Sequence, residues 1–397
     1  MRKKQVLIVS CKAGNLCLFV SNIKADQMNQ TAYIRLISGK TTGPARLGGV
    51  VARAFLRAAA LPYLAAVSLR NFLYDRGWLK IHNVNALVIS VGNITVGGTG
   101  KTPLVVWLCN MLRKKNIRCA VLTRGYKATQ NSELKTQNYT DELAIVANNC
   151  PGIRVLVNPD RIASAVEAIQ NLGAQVLILD DGFQHRRLGR DIDIVTIDAT
   201  EPFGYGRLLP AGFLREPIGN LKRANAVVIT RCNQVSHAEL VHLEDKLLQF
   251  NPQIIIACSI HSPVAVRFLS GTVIRPEELK NKKVFAFCGI GNPQAFFDTI
   301  REVGANVVGC TAFDDHHHYT QQCWRRIRDQ AMKNRAEIIL TTEKDWTKMA
   351  CVRTIEQDIP LGYLAVEMKF VAGDAALISL IEGVPRGRIR SVVGTKT

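Results

Sequence analysis

Apolar and polar positions along this chain follow the order of strand, loop and helix from residue 86 onward. The apolar run ALVISV, which begins at Ala86, precedes a glycine-rich turn, a helical stretch and a second apolar run, IRCAVLT. This is the βαβ order, which implies a parallel sheet. A further apolar run at 284–288 begins a second α/β unit. We predict an α/β fold whose parallel sheet, flanked by helices, forms a core at 78–260, with a smaller α/β domain and a basic tail at 261–397.

The chain begins with a basic and apolar stretch that superficially resembles a secretory signal. Its MRKK start leads into VLIVS, but Lys12 interrupts the apolar run and no small-residue cleavage pattern follows. We therefore interpret residues 1–43 as an extension and not as a signal. Met28 would serve equally well as a start, so we expect 1–27 to be poorly ordered.

Residues 44–77 have the pattern of an amphipathic helix. Arginines and apolar residues recur on two helical stripes, with Arg46, Arg53 and Arg57 on one and Leu47, Val51 and Phe55 on the other. The uncharged run 58–69 is 12 residues long, which is short of the roughly 20 that a spanning helix needs, and we expect Pro62 to kink it. We therefore expect no membrane crossing. The segment could lie on an anionic membrane surface, but its own pattern favours packing on the protein's core.

Composition and charge narrow the classes of protein and partner. A chain of 397 residues that is 47% hydrophobic and 21% charged is typical of a globular protein, which excludes disordered, collagen-like and repeat classes. Lys and Arg number 51 against 32 Asp and Glu, a net charge of +19, so an anionic partner is indicated: nucleic acid, an acidic membrane or a phosphorylated small molecule. No interleaving of aromatic and basic residues supports nucleic acid. The 11 cysteines form no CxxC pair, which argues against a disulfide framework or a zinc site and fits a reducing cytosol.

The turn after the first predicted strand, GNITVGGTGKTP at 92–103, is typical of a phosphate-binding loop. Glycines let backbone N–H groups surround phosphate oxygens, Lys101 would reach the β- and γ-phosphates, and the Thr102 hydroxyl could bind Mg²⁺. The predicted nucleotide contacts are Thr95, Val96, Gly97, Gly98, Thr99, Gly100, Lys101 and Thr102. Thr95 stands where the strict GxxxxGK[ST] pattern has glycine, and Val96 where the loop of partitioning-type ATPases has lysine.

Two acidic pairs are candidates for metal binding and base catalysis. Asp180 and Asp181 end an apolar run, and carboxylates at the carboxyl end of a parallel strand beside a phosphate loop are placed to hold Mg²⁺. Asp141 and Glu142 follow Thr140, and the local pattern favours a helix N-cap with an acidic first turn. The chemical alternative is that a kinase acting on an alcohol needs a carboxylate at the acceptor hydroxyl.

Taken together, these segments resemble the tetraacyldisaccharide 4'-kinase family of lipid A biosynthesis. The resemblance spans roughly 76–348 and is carried by SVGNITVGGTGKTP (90–103), TRGYK (123–127), DE (141–142), NPDR (158–161), LILDDGFQHRRLGRD (177–191), PFGYGRLLPAGFLREP (202–217), the DH of FDDHHHY (313–319) and TTEKDWTK (341–348). It implies a P-loop NTPase-like enzyme that uses ATP and Mg²⁺ to phosphorylate the 4' hydroxyl of an acylated glucosamine disaccharide 1-phosphate, giving lipid IV-A. It also implies that 44–77 lies peripherally on an anionic membrane, the cytoplasmic face of the bacterial inner membrane.

The resemblance further implies roles for single residues. Lys101 is a catalytic residue that binds phosphates, Asp141 is the general base, and His316 orients or polarises Asp141. The implied metal ligands are Thr102, Asp180, Asp181 and Glu216, and the implied substrate or phosphate contacts are Glu142, Arg161, Gln184 and Arg215. Adjacent residues of an extended chain point to alternate faces, so we expect His317 and His318 to be mostly solvated.

Two other classes remain as alternatives. One is a membrane-associated P-loop switch ATPase that hydrolyses ATP without transferring phosphate to a small acceptor. The other is a nucleic-acid-binding ATPase, which only the net charge supports. We expect a monomer, no nucleic-acid partner, and an active site in the cleft between the two α/β units.

Overall fold

The computed structural model describes residues 30–39, 45–125, 141–315, 317–349 and 358–384. Its helices are α1 (Gln30–Ile37), α2 (Ala45–Asp75), α3 (Lys101–Lys114), α4 (Asp141–Asn149), α5 (Arg161–Leu172), α6 (His237–Phe250), α7 (Pro293–Glu302), α8 (Gln321–Lys333), α9 (Glu343–Thr347) and α10 (Asp374–Gly383). Its strands are β1 (Leu87–Gly92), β2 (Cys119–Thr123), β3 (Arg154–Val157), β4 (Val176–Asp180), β5 (Ile192–Asp198), β6 (Ala226–Thr230), β7 (Ile255–Phe268), β8 (Val273–Ile274), β9 (Lys283–Cys288), β10 (Asn306–Ala312), β11 (Ile338–Thr342) and β12 (Leu361–Ala372).

The described strands form one mostly parallel sheet. Their order is β10-β9-β11-β12-β7-β6-β5-β1-β4-β2-β3, with β8 paired to β7. Only the pairs that β7 makes with β12 and β8 are antiparallel among the described strands. The prediction of an α/β fold with a parallel sheet flanked by helices is therefore confirmed.

The central strands are apolar on both faces because helices cover both sides. In β1, Leu87, Ile89 and Val91 pack in the cluster that contains the buried leucines of α3. Val88 points to the opposite face and packs with Ala165 of α5. All six residues of β1 are buried, as expected for a strand in the middle of a covered parallel sheet.

The long antiparallel pair β7–β12 joins two groups of parallel strands that run toward each other. We name β1–β6 the amino-terminal half-sheet and β9–β11 the carboxyl-terminal half-sheet. Strand β6 pairs with β7 up to Cys258, whereas β11 ends at Thr342, opposite Leu364 of β12, which in turn pairs with Val266. Cys258 and Val266 are about 26 Å apart at roughly 3.3 Å per residue. The loops at the carboxyl ends of both half-sheets therefore face one shared cleft.

The predicted boundary between residues 260 and 261 falls inside β7, a strand of 14 residues. The first residues of β7 pair with β6, and the residues from Cys258 onward pair with β12. The two α/β units therefore share one continuous sheet. The sequence pattern placed a boundary here because the apolar run at 254–260 is followed by a polar segment that includes Arg267, Gly271 and Pro276.

The predicted amphipathic helix is present as α2, which has 31 residues and continues through Pro62. Within it, Gly48–Asp75 is the one helix of the described residues that is long and apolar enough to cross a membrane by length and composition, with a mean hydropathy of 1.5. The uncharged run of 12 residues is therefore part of a longer apolar helix, which continues beyond both flanking arginines. The expectation that 44–77 does not cross a membrane stays a prediction, because length and composition alone do not decide it.

Polar contacts hold the carboxyl-terminal part of α2 against the protein. The Tyr63 hydroxyl donates to the carbonyl of Arg215 at 2.8 Å, and Arg186 donates to Asp75 at 2.7 Å. Apolar side chains on other faces of the helix are exposed: Val50, Val51, Phe55, Leu61, Leu69 and Phe72.

Candidate active site

The glycine-rich loop between β1 and α3 has the backbone that a phosphate-binding loop needs. Gly97 and Gly100 have positive φ values of 118° and 84°, a conformation that glycine adopts without steric cost. A Cβ on Gly100 would lie 3.0 Å from both Thr230 and the Nε2 atom of His261. Glycine at this position therefore allows the loop to pack closely on β6 and β7 while α3 begins at Lys101.

Two of the predicted nucleotide contacts support the loop from below. Thr95 and Thr99 are buried, and the Thr99 hydroxyl shares a hydrogen bond of 2.7 Å with the Thr196 hydroxyl. The Thr230 hydroxyl donates to the Thr99 carbonyl at 3.1 Å. Val96 instead is 41% exposed. The side chain of Thr99 thus helps to hold the shape of the loop, and the backbone and Lys101 are left to face a ligand.

Lys101, Asp181 and Arg215 meet beside this loop. The Nζ atom of Lys101 lies 3.4 Å from Oδ1 of Asp181, and Nη1 of Arg215 donates to the two carboxylate oxygens of Asp181 at 2.9 and 3.0 Å. Burial by itself raises the pKa of Asp181, but Arg215, Lys101 and Arg161 outweigh it and hold that pKa well below its ordinary value. Asp181 is therefore ionised, and it holds two cations at the mouth of the loop.

The other predicted phosphate contacts join this group through the backbone. Nη1 of Arg161, which is 3% exposed, donates to the Asp181 carbonyl at 3.2 Å. Nε2 of Gln184 donates to the Asn93 carbonyl at 2.9 Å, and its Oε1 accepts from Arg215 at 3.4 Å. The structure therefore brings Lys101, Arg161, Asp181, Gln184 and Arg215 together at the carboxyl ends of β1 and β4, although three of them lie more than 60 residues from Lys101 in sequence.

Oxygen donors suited to Mg²⁺ lie at the same edge. Asp180 is the last residue of β4 and pairs in register with Val91 of β1, and Thr102 is the second residue of α3. No group of three or more His, Cys, Asp or Glu side chains within the described ranges could hold a metal ion. A carboxylate and a hydroxyl beside a phosphate loop nevertheless fit Mg²⁺, which keeps several waters and takes further ligands from substrate phosphates.

Glu216, which was predicted as a metal ligand, lies in a buried polar group that includes residues of α2. It is fully buried, and its Oε2 accepts from Asn71 of α2 at 2.9 Å and from Asn220 at 2.7 Å. Two nitrogens of Arg223 also donate to Oε2 at 3.0 Å each, and Arg70 lies 3.5 Å from Oε1. Through Oε2 Glu216 therefore fastens α2 to the core, and its role as a metal ligand stays a prediction.

The structure describes only part of the segments that carry the predicted base and its partner. Helix α4 begins at Asp141, as the N-cap pattern predicted, but the side chains of Asp141 and Glu142, and all of His316, lie outside the described residues. His317 is described and is not mostly solvated: it stacks on Phe313 with ring centroids 4.5 Å apart. Contact with this aromatic group, which the alternation argument did not consider, partly buries the His317 ring. His318 is exposed.

Arg231, Asp198 and Asn292 belong to the site and were missed by sequence analysis. Arg231 has a positive φ of 58°, pairs with Asp198, and donates to the Gly98 carbonyl at 3.0 Å. Asn292, from the other half-sheet, donates to Asp198 at 3.1 Å. The available signals were the Asp that ends β5 and the Thr-Arg pair at the end of β6, because β5 lies beside β1 and β6 lies beside β5.

The carboxyl-terminal half-sheet also touches the phosphate loop directly. A Cβ on Gly291 would lie 2.7 Å from the backbone nitrogen of Gly98 and 3.1 Å from Cα of Gly97. The loop after β9 therefore packs backbone to backbone on the phosphate loop, which places the site in the cleft between the half-sheets.

Comparisons with known proteins agree with this arrangement. The model of the family described as Tetraacyldisaccharide-1-P 4'-kinase matches residues 52–385. The chain is similar to the tetraacyldisaccharide 4'-kinase of Halothermothrix orenii, with 38% identity over 331 residues, which cover 77% of this chain and 86% of that relative. It is 40% identical to the enzyme of the same name from Syntrophus aciditrophicus over 335 residues, 79% of this chain and 88% of that relative.

One solved structure is similar over nearly its whole length. It is a crystal structure of LpxK from Aquifex aeolicus in complex with ATP, with 29% sequence identity and a TM-score of 0.61. The match covers 83% of this chain and 98% of that chain.

Proposed function

This chain belongs to the tetraacyldisaccharide-1-P 4'-kinase family, and on that premise we propose how its residues carry out the reaction. It is an ATP-dependent kinase of lipid A biosynthesis that transfers the γ-phosphate to the 4' hydroxyl of a tetraacyldisaccharide 1-phosphate. The observation that carries the assignment of residues is the group of Lys101, Asp181 and Arg215 at the phosphate loop.

The cationic side chains stabilise the charge that develops during transfer. Phosphoryl transfer has a loose transition state with charge on the equatorial oxygens, so positioning and electrostatic stabilisation account for most of the catalysis. Lys101 and Arg215 supply two positive charges, and Asp181 orients both before the nucleotide binds. Lys101 is proposed to reach the β- and γ-phosphates, and Arg215, which donates to Gln184, is proposed to contact phosphate on the acceptor side.

Asp180 and Thr102 are the residues that would hold Mg²⁺. The ion, when bound, neutralises charge on the β- and γ-phosphate oxygens. Asp181 is engaged with Lys101 and Arg215, so its contribution to the metal is indirect.

Asp141 is proposed as the base at the 4' hydroxyl, oriented by His316. The start of α4 at Asp141 supports the assignment, because it makes Asp141 the first residue of a helix that packs beside α3. A positioned base contributes about 10²–10⁴-fold. Glu142 follows it in the first turn and is proposed to contact the substrate.

Helix α2 is proposed to place this membrane-associated enzyme peripherally on the cytoplasmic face of the inner membrane, as a monomer. Its carboxyl-terminal part is hydrogen-bonded to Arg215 and Glu216, so that face of the helix packs on the rest of the protein. Phe55, 73% exposed, and Val51, 67% exposed, lie on the part that would enter the acyl boundary. This position would bring an acylated substrate to Arg215 without removing it from the bilayer.

The test is transfer of label from [γ-³²P]ATP to an acylated disaccharide 1-phosphate in detergent micelles. Labelled lipid supports the kinase, whereas free phosphate alone would indicate a switch ATPase. Asp141→Ala should lower kcat by about 10²-fold or more with little change in ATP affinity. Lys101→Ala should lower both kcat and ATP affinity. An equal loss of ATP affinity in the two variants would contradict these roles.

A further inference from the structure

The segment TTEKDWTK (341–348) has no role in the reaction described so far. Helix α9 follows directly from the carboxyl end of β11, and the Thr342 side chain caps it by accepting from the backbone nitrogen of Asp345 at 3.0 Å. The three charged residues that begin this helix, Glu343, Lys344 and Asp345, each contact a different element near the cleft. Successive residues project about 100° apart around a helix, so one turn can reach three elements.

Asp345 holds the loop that packs on the phosphate loop. It is fully buried, and its Oδ2 accepts from the backbone nitrogen of Gly289 at 2.9 Å and from the Thr342 hydroxyl at 2.7 Å. Lys348 lies 3.4 Å from Oδ1. Gly289 is two residues before Gly291, whose backbone lies against Gly98. Asp345 therefore holds, through Gly289, the short loop that contacts the nucleotide-binding loop at Gly291.

Lys344 holds the turn that leads to His316. Its Nζ lies 3.1 Å from Oδ1 of Asp315, with both side chains mostly buried. Asp315 is joined through the peptide bond to His316. The ion pair therefore fixes the residue that precedes the proposed partner of the base.

Glu343 holds the far end of the helix that begins at Asp141. Its Oε1 accepts from Nδ2 of Asn149 at 2.9 Å, and Asn149 is the last residue of α4. Burial raises the pKa of the Glu343 carboxyl. A helix of nine residues is about 13 Å long and transmits a displacement of one end to the other as a rigid body.

We propose that Glu343, Lys344 and Asp345 are positioning residues that set α4, the Asp315 turn and the Gly289–Gly291 loop relative to the phosphate loop for transfer. This inference rests on the proposed function, since it assigns these contacts to the same reaction. Three adjacent side chains on one short helix thus contact groups from both half-sheets.

The experiment measures kcat and KM for ATP in the labelled-lipid assay, with unfolding midpoints alongside. Lys344→Met should lower kcat by about tenfold or more and leave KM for ATP within about twofold, because the ion pair acts on the Asp315 turn. Lys344→Arg keeps the charge and should restore most of kcat. Lys333→Met, a change at an exposed lysine that ends α8, is the matched control and should change neither constant.

A double-mutant cycle separates positioning from general loss of structure. Asp315→Asn should lower kcat about as much as Lys344→Met does. The double variant should lower kcat little further, because both substitutions remove the same ion pair. Additive losses in the cycle, failure of Lys344→Arg to restore kcat, or a Lys344→Met enzyme with unchanged kcat would each overturn the role of Lys344.

The Asp345 contact predicts the opposite pattern, a change in ATP affinity. Asp345→Asn should weaken ATP binding about tenfold or more, measured by calorimetry with ATP alone. Asp345→Asn removes a buried carboxylate, so a second variant is needed that moves the same loop and leaves Asp345 in place. Gly291→Ala is that variant. Its control is Gly219→Ala, because Gly219 has open space for a Cβ. Unchanged ATP affinity in Gly291→Ala would overturn this part.

The two proposals fail in different ways. A wild-type enzyme that labels no lipid would overturn the proposed function, and ATP binding by the Gly291 and Asp345 variants would still test the positioning contacts. A wild-type enzyme that labels lipid, together with unaffected variants, would overturn the positioning role alone.

Discussion

Asp181 shows how one residue at the site depends on its neighbours. Its backbone has a positive φ of 49°, so the chain turns sharply after β4 and directs the carboxylate between Lys101 and Arg215. An aspartate tolerates this conformation better than most residues because its short polar side chain bonds locally. The aspartate pair could be predicted from sequence, but the division of labour between Asp180 and Asp181 required the positions of the two cations.

Removal of Arg215 should therefore reduce the stabilisation of the transition state. Arg215→Met leaves Asp181 paired to Lys101 alone and draws the lysine away from the phosphates. We expect kcat/KM to fall by about 10²–10³-fold, the usual cost of one transition-state charge contact. Steady-state kinetics with Arg325→Met, a change at an exposed arginine of α8, as control checks this, and a loss below about threefold would contradict it.

Two partly buried histidines should make stability depend on pH. Burial, followed by nearby arginines, lowers the pKa of His185 to about 3, and burial and Arg231 lower that of His261 to about 3. Below the ordinary value of 6.5 the unfolded chain binds protons that the folded chain excludes. Stability should therefore fall as pH drops from 6.5 toward 3, by at most about 1.4 kcal/mol per pH unit for each histidine.

Urea unfolding between pH 7.5 and 5 measures this effect. In His185→Gln the decline should be shallower than in the wild type, whereas His242→Gln, at an exposed position on α6, should keep the wild-type slope. Parallel curves for all three proteins would show that His185 is protonated without cost in the folded state.

At the scale of elements, the local pattern identified the helices and strands that carry the site. The β1–loop–α3 unit, the start of α4 and the helix at 44–77 all follow from short-range periodicity and capping. The extent of β7 and its antiparallel pairing with β12 did not, because half-buried polar residues on a long strand resemble a loop when its partner is 100 residues away in sequence.

The exposed face of α2 gives a prediction for this element. Phe55→Glu should weaken binding to vesicles of phosphatidylethanolamine and phosphatidylglycerol by about tenfold or more, since an exposed apolar side chain is replaced by a charge that anionic lipid repels. Unfolding free energy should change by less than about 0.5 kcal/mol. Co-sedimentation measures binding, and Leu248→Glu on α6, where Leu248 is 40% exposed, should bind as the wild type does.

At the scale of the whole molecule, one sheet joins both halves of the active site. Because β7 pairs with strands of both halves, we expect them to unfold together. Variants that retain only Trp107, on α3, or only Trp324, on α8, should give coincident unfolding midpoints.

ATP at 100 times its Kd should raise the free energy of unfolding by about 2.7 kcal/mol as reported by both tryptophans. Fluorescence-detected urea unfolding, with and without ATP, provides the measurement. Two separate midpoints, or a shift confined to Trp107, would mean that the halves are independent and that the cleft is only loosely assembled.

The sequence by itself determined the parts of this protein that are local: the glycine-rich turn, the strands and helices around it, and the residue types that phosphate and Mg²⁺ chemistry needs. Backbone sterics and side-chain periodicity act over a few residues, so a linear pattern records them. The tertiary structure alone decided the contacts between distant segments. Arg231 meets Gly98 across 133 residues and Asn71 meets Glu216 across 145. Burial and charge pairing at such separations depend on which strands become neighbours, and for that reason Glu216 fastens a helix while Arg231 supports the phosphate loop.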